Sequence, residues 1–318
     1  MPTESKSAGA ARVRHVTVDE NSSGQRLDNF LSRELKGVPR TRLYRALRKG
    51  EVRVNKGRVG ADYRLVAGDI VRIPPLRQLA PRDPADVPRQ RLDEIAARVV
   101  YEDAGLLAVD KPSGLAVHGG SGLNYGLIEG LRQLRQDGVY LELVHRLDRD
   151  TSGLILVAKR AAVLRELHRQ LREKHIDKRY LALVGGQWPA SLKVIEAPLE
   201  KNVLQSGERM VRVSREGRHA ITEFHVLERL GEATLLEVVP ITGRTHQIRV
   251  HARHAGFPLL GDEKYANERS EALTRKIGLK RLFLHAWRLN FTLPDKPPLA
   301  LTAEPGEELE ALLARLRR

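Results

Sequence analysis

The nine residues between two strand-like runs constrain this chain more than any other stretch. Residues 140–144 (Tyr-Leu-Glu-Leu-Val) and 154–158 (Leu-Ile-Leu-Val-Ala) have strand character, and between them stands His145-Arg146-Leu147-Asp148-Arg149-Asp150-Thr151-Ser152-Gly153. A plain connection between strands needs only a few turn-forming residues. This one carries two carboxylates, two guanidiniums, an imidazole and two hydroxyls, and closes on a glycine. Chemistry tends to sit on loops that a rigid strand scaffold positions. The plainer reading is a solvated charged turn, and composition alone does not choose.

Charge narrows the partners. Over 318 residues, 55 Lys and Arg face 40 Asp and Glu, a formal net charge of +15. That excess favours polyanions, because neutralising phosphates releases their counterions. Lipid headgroups compete for that role, but no basic amphipathic stretch with Trp or Phe on its apolar face is present. No apolar run approaches the roughly 20 residues that span a bilayer. Nucleic acid is the expected partner and no membrane is expected. Cysteine is absent, so there is no disulfide framework and no thiolate metal site, which fits a cytoplasmic protein. With 41% hydrophobic residues, the chain has core enough for two or three domains.

Residues 1–15 are small-residue-rich and basic and lack the apolar segment of a secretion signal, so a flexible tail is expected over residues 1–20. Leu27, Phe30, Leu31 and Leu35 then fall at i, i+3, i+4 and i+8 and predict a helix. A second helix over roughly residues 41–49 turns Leu43, Ala46 and Leu47 inward. Its other face carries Arg40, Arg42, Arg45, Arg48 and Lys49, with no acidic residue to offset them. Such self-repulsion favours a polyanionic partner over a merely wet face. A turn at Asn55-Lys56-Gly57 and a strand pair ending at residues 68–73 complete a small domain, residues 21–76. Residues 77–95, rich in Pro, Arg and Asp and without periodicity, read as a linker.

Residues 96–318 form the larger unit. A hairpin is expected over residues 99–110, strands over 177–184, 209–213, 220–228, 233–240 and 281–291, and helices over 163–174, 270–277 and 307–316. Thr245 reads as an N-cap of a helix running to Ala255 and stopped by Gly256. Strands outnumber helices and several adjoin by short turns, so the fold class is α+β with a largely antiparallel sheet. His246, His251 and His254 raise a metal reading, because helical spacing puts the last two on one face. No nearby acidic residue completes a ligand set.

The string 145–153 resembles the H-R-L-D-x-x-T-S-G signature of the RluA/RluC/RluD-type pseudouridine synthases. Lys111-Pro112-Ser113-Gly114 through His118 resembles the opening of the same family. R-L-D-N-F-L, R-x-x-L-Y-R-A-L-R-K-G-x-V-x-V-N-x-x-R and G-D-x-V-x-I make the small domain similar to an S4-like RNA-binding domain. The details G-V-P-R, K-G-E-V-R-V-N-K and V-H-G-G-S-G resemble the RluC-like branch, which acts on large-subunit ribosomal RNA. The resemblance implies a small S4-like α/β RNA-binding domain followed by a mixed, largely antiparallel catalytic domain.

The implied reaction breaks the C1′–N1 bond of a uridine and rejoins C1′ to C5. Glycosidic hydrolysis normally uses two carboxylates; an isomerase should present one, in a dry pocket. By resemblance that is Asp148, the nucleophile of R-L-D, although spacing alone does not separate it from Asp150. Arg249 of H-Q-I-R is then expected against Asp148, favouring its ionised form and gripping it bidentately. Tyr180 of K-x-Y is expected to stack on the uracil, its hydroxyl assisting loss of the C5 proton. Leu284 would line the dry side, and His145 would contact substrate. Reaching the sugar inside folded RNA requires extruding the nucleotide, and Arg146 would stack where the base was. The basic face of the second helix would hold phosphates, which positions RNA without reading its sequence. No cofactor and no metal are expected, and the state is expected to be monomeric. Two other classes remain open: a non-catalytic RNA-binding or ribosome-assembly factor using the basic domain alone, and a metal hydrolase.

Overall fold

Leu27, Phe30 and Leu31 are all but inaccessible on one face of α1 (Leu27–Glu34), as the apolar stripe requires. Against it α2 (Arg40–Arg48) buries Leu43, Ala46 and Leu47. These coordinates are a computed structural model, and they describe residues 12–35, 37–76, 87–120, 123–135, 139–203 and 209–318. The chain divides into two units, Met1–Asp86 and Val87–Arg318. In the first, β1 (Arg14–Thr17), β2 (Arg53–Val54) and β3 (Ile70–Ile73) form an antiparallel sheet in the order β1-β3-β2. The expected tail is therefore too long. Residues 14–17 pair with β3 from Thr17↔Ile70 to Arg14↔Ile73, and residues 1–11 lie outside the described residues.

The expected linker also needs correction. Its residues 77–86 lie outside the described residues, but α3 (Arg89–Ala97) is a helix that buries Leu92 and Ile95. It packs on α4 (Leu127–Leu134), where Gly130 leaves room for Ile95. Proline at the N-cap and charged side chains on the outer face hid a short apolar stripe.

In the larger unit β4 (Val99–Glu102) and β5 (Leu106–Lys111) form the expected hairpin. The strand drawn over 140–144 shrinks to β6 (Glu142–Leu143), which leads through the charged loop to β7 (Ser152–Ala158). Then come α5 (Ala161–Glu173), β8 (Asp177–Gly185), β9 (Val194–Glu196), β10 (Leu199–Val203), β11 (Arg209–Val213), β12 (Ile221–Leu230) and β13 (Ala233–Pro240). The chain closes with α6 (Gln247–His254), α7 (Glu268–Lys276), β14 (Leu284–Phe291), β15 (Leu299–Thr302) and α8 (Glu307–Leu316). His246, not Thr245, stands at the N-cap of α6, in the left-handed conformation at φ 53°.

A ten-stranded sheet runs β4-β5-β7-β14-β8-β13-β12-β9, with β6 on β7 and β15 on β14. Among the described residues only β7 and β14 pair in parallel. Every residue of β7 is buried, because α3 and α4 cover one face and α5 the other. That double covering makes β7 a rigid support for the loop that precedes it.

Candidate active site

The loop 145–153 is tied down from several sides. Lys111, fully buried at the end of β5, donates to the carbonyls of Pro112 and Leu115 at 2.8 Å and of Arg149 at 2.9 Å. Three acceptors match the three N–H bonds of an ammonium. Burial lowers that ammonium to about 7, with Asp150 and Asp148 acting in the opposite direction. Ser113 donates to Asp150 O (2.7 Å) and Gly114 N–H to Arg149 O (2.9 Å). At the other end, Arg281 donates to Ser152 Oγ (3.0 Å), and Ser152 lies 2.8 Å from His285 Nδ1. Gly153 sits at φ 105° where a Cβ would fall 2.3 Å from Ala286 O, so the close passage of β14 demands glycine.

Held this way, Asp148 faces a cleft of about 920 Å³ and keeps its side chain 26% exposed. Asp150 does not line that cleft. Its carboxylate is taken by Arg149 Nε at 2.8 Å. The two aspartates that spacing could not separate are thus separated by the turn.

Arg249 reaches Asp148, but not as expected. Its Nε and Nη2 grip Asp262 bidentately at 2.8 and 2.7 Å, and both side chains are buried. Only Nη1 remains for Asp148 Oδ2, at 3.4 Å. Burial opposes the Arg249 charge, but Asp262 outweighs it and holds the guanidinium above its usual range. Asp262 also accepts the backbone N–H groups of Lys264 and Tyr265, so a tight turn fixes the arginine. Tyr265 carries the arginine over its ring, 5.0 Å from the centroid. Its hydroxyl accepts from Val211 N–H (3.0 Å) and lies 2.7 Å from His246 Nδ1. The other ring nitrogen of His246, Nε2, stands 3.9 Å from Asp148 Oδ2.

Tyr180, Leu284, His145 and Arg146 all line the same cleft. Tyr180 is half-buried on β8, between Val238 of β13 and Ala286 of β14. Burial, and then the Asp148 charge, push its phenol up. Leu284 is buried at the start of β14. Arg146 is exposed and has no side-chain partner among the described residues. His145 is more confined than its expected substrate contact suggests. Its Nε2 accepts Leu156 N–H at 3.2 Å, and burial, followed by Lys178 and His168, lowers it to about 3. It is a neutral ring in the cleft wall.

The three histidines of the metal reading do not converge. His246 serves Tyr265, His251 is buried between Thr222 Oγ1 (2.9 Å) and Ala197 O (3.0 Å), and His254 is exposed. Among the described residues no group of three or more His, Cys, Asp or Glu is placed to hold a metal ion, and no helix is long and apolar enough to cross a membrane. In the first unit, Arg40, Arg42, Arg45, Arg48 and Lys49 are all exposed on α2. Asp262, Lys111 and His246 had no assigned part in the expected site. The signal for Asp262 was a glycine-aspartate turn, and Gly261 at φ 75° does lie against Arg281 O.

Residues 105–254 match the RNA pseudouridylate synthase family, and residues 25–71 match the S4 domain. With relatives about half identical along nearly its whole length, the chain belongs to the RNA pseudouridylate synthase family and is an RNA pseudouridine synthase. It is similar to "Ribosomal large subunit pseudouridine synthase C" of Escherichia coli, 52% identical over 100% of this chain and 99% of that one. The protein of the same name from Haemophilus ducreyi is 51% identical over 97% of each chain. The one from Salmonella typhimurium is 55% identical over 92% of each. Among solved structures, Human RNA Pseudouridylate Synthase Domain Containing 4 superposes with a TM-score of 0.59 at 27% identity, over 72% of this chain and 96% of that one.

Proposed function

We propose that this enzyme isomerises uridines of large-subunit ribosomal RNA, with Asp148 as the nucleophile. One observation carries the reading: Asp148 is the sole carboxylate among the described residues that line the cleft. A hydrolase would need a second carboxylate to activate water or to serve as acid. With one, the carboxylate stays bonded to the fragment it has attacked, and the other fragment remains in the cleft until the two rejoin. The C1′–N1 bond breaks, the C1′–C5 bond forms, C5 gives up its proton and N1 gains one, so no external reactant is needed.

Tyr180 packs against the uracil, and its raised phenol makes any phenolate formed there a strong base for the C5 proton. Arg249, pinned by Asp262, orients Asp148 from behind. Leu284 and Ile248 keep that side of the cleft apolar, and Arg146 fills the place of the extruded base. The α2 arginines hold phosphates, and the enzyme acts as a monomer without metal or cofactor. The names of the relatives supply the substrate class.

Carbodiimide-dependent primer-extension stops on large-subunit rRNA test this reading. Stops present in wild-type cells should vanish when the gene is deleted and return with the wild-type gene but not with Asp148→Asn. Unchanged stops after deletion would end it.

A further inference from the structure

Lys178 is a cation without a counter-charge. It lies two residues before Tyr180 on β8, so both side chains leave the same face of the strand, roughly 6.5 Å apart along it. It is half-buried, lines the cleft, and makes no hydrogen bond or ion pair among the described residues. Burial alone lowers its ammonium below the usual lysine range. The next residue makes the contrast. Arg179, on the opposite face, is paired with both Asp177 (3.0 Å) and Glu237 (2.8 Å).

Asp148 is the one carboxylate lining the same cleft among the described residues, and Lys178 forms no ion pair with it. His145 and His168 are both held neutral, chiefly by burial. Arg172, Lys174 and Arg244 also line the cleft, but they are exposed and stand in water. Taking a cation out of water without a partner costs stability. Such a residue is accounted for when the missing anion arrives with the ligand.

We propose that Lys178 receives a phosphodiester flanking the target uridine and so fixes the nucleotide's sugar over Asp148. This rests on the placement of Tyr180 against the uracil. Lys178 and Tyr180 line the same cleft from one face of β8, so a base stacked on the tyrosine brings its flanking phosphates to the lysine's side. The phosphate restores the missing charge pair and anchors the sugar while the base is detached.

The test uses an oligoribonucleotide spanning a converted position of large-subunit rRNA, made with each phosphate flanking the target replaced singly by a neutral methylphosphonate. With wild-type enzyme, one replacement should lower kcat/KM about tenfold. With Lys178→Met, kcat/KM on the unmodified oligonucleotide should already be about tenfold lower, and that same replacement should cost less than twofold more. Lys178→Arg should recover most of the loss. The melting temperature of Lys178→Met should equal or exceed the wild-type value, since an unpaired buried charge is gone. Equal losses from the replacement in both enzymes, or wild-type kcat/KM in Lys178→Met, would overturn the proposal. No pseudouridine from wild-type enzyme on the unmodified oligonucleotide would overturn the parent reading as well.

Discussion

The tripeptide Arg-Leu-Asp occurs three times: Arg91-Leu92-Asp93 lies within α3, and the two copies compared are Arg26-Leu27-Asp28 in the first unit and Arg146-Leu147-Asp148 in the second. In each the leucine is buried. The charges on either side behave oppositely. At the start of α1, Arg26 Nε and Nη2 close on Asp28 at 3.1 and 2.9 Å, Tyr44 donates at 2.8 Å, and Asn29 N–H adds a fourth donor at 2.9 Å. Those bonds, Arg26 first, hold Asp28 down to about 2. Ahead of β7, Arg146 turns outward, and Asp148 receives one long contact from Arg249 and the more distant His246. A carboxylate whose acceptor positions are filled is a structural part. One left under-supplied, at the edge of a cleft, is free to react. The same three residues take either role, according to whether the backbone lets the outer two meet.

The sharpest way to break this contrast is to neutralise both aspartates. Asp148→Asn should lower turnover on the order of 10³-fold or more while leaving melting and RNA affinity in place. Asp28→Asn should leave turnover on a short unpaired oligonucleotide within about twofold. Comparable losses of turnover from both changes would erase the distinction.

Next in size is the support behind Asp148. Asp262→Ala leaves Arg249 buried without its partner, which should cost about 3–5 kcal/mol. The chain's two tryptophans, Trp188 and Trp287, both lie in the second unit, so the tryptophan-fluorescence melt should move down. An unmoved melt would show that the buried pair does not hold the site.

Smaller is the acid response of the first unit. Asp28 has its folded value depressed, so its contribution is complete above the ordinary carboxylate range and is lost as pH falls through about 2. Allowing for the partial exposure of Arg26, Asp28→Asn should cost about 1–2 kcal/mol at neutral pH. By circular dichroism its melt should converge with that of wild type near pH 2, with the tryptophan transition unaffected. A gap that persists in acid would locate the effect elsewhere. Smallest is Arg146→Ala, which should raise the KM for structured RNA more than for an unpaired oligonucleotide. Equal changes on both would leave no part for Arg146 in filling the vacated stack.

The features legible in the sequence were those set by near neighbours. The stripe Leu27-Phe30-Leu31 and the bare basic face of α2 follow from a 3.6-residue period, and the α+β class from the density of strands. Resemblance led to Asp148, and no periodicity could have separated it from Asp150. That distinction depends on Lys111, Ser113 and Gly114 binding the turn from a different strand. The Arg249–Asp262 grip was illegible for a similar reason. Helical spacing says which way Arg249 faces but not which of two aspartates, one in the turn beyond α6 and one a hundred residues earlier, it meets first. The strand over residues 14–17 was lost inside a basic, polar segment, because its pairing partner β3 lies more than fifty residues away.

Release of tritium from [5-³H]uridine in large-subunit rRNA reads the C5 proton loss directly, and it can compare Asp148→Asn with Asp150→Asn in one loop and one assay. Asp148→Asn should give no release above background, and Asp150→Asn release close to wild type. Sustained release by Asp148→Asn, or its loss only in Asp150→Asn, would contradict Asp148 as the nucleophile.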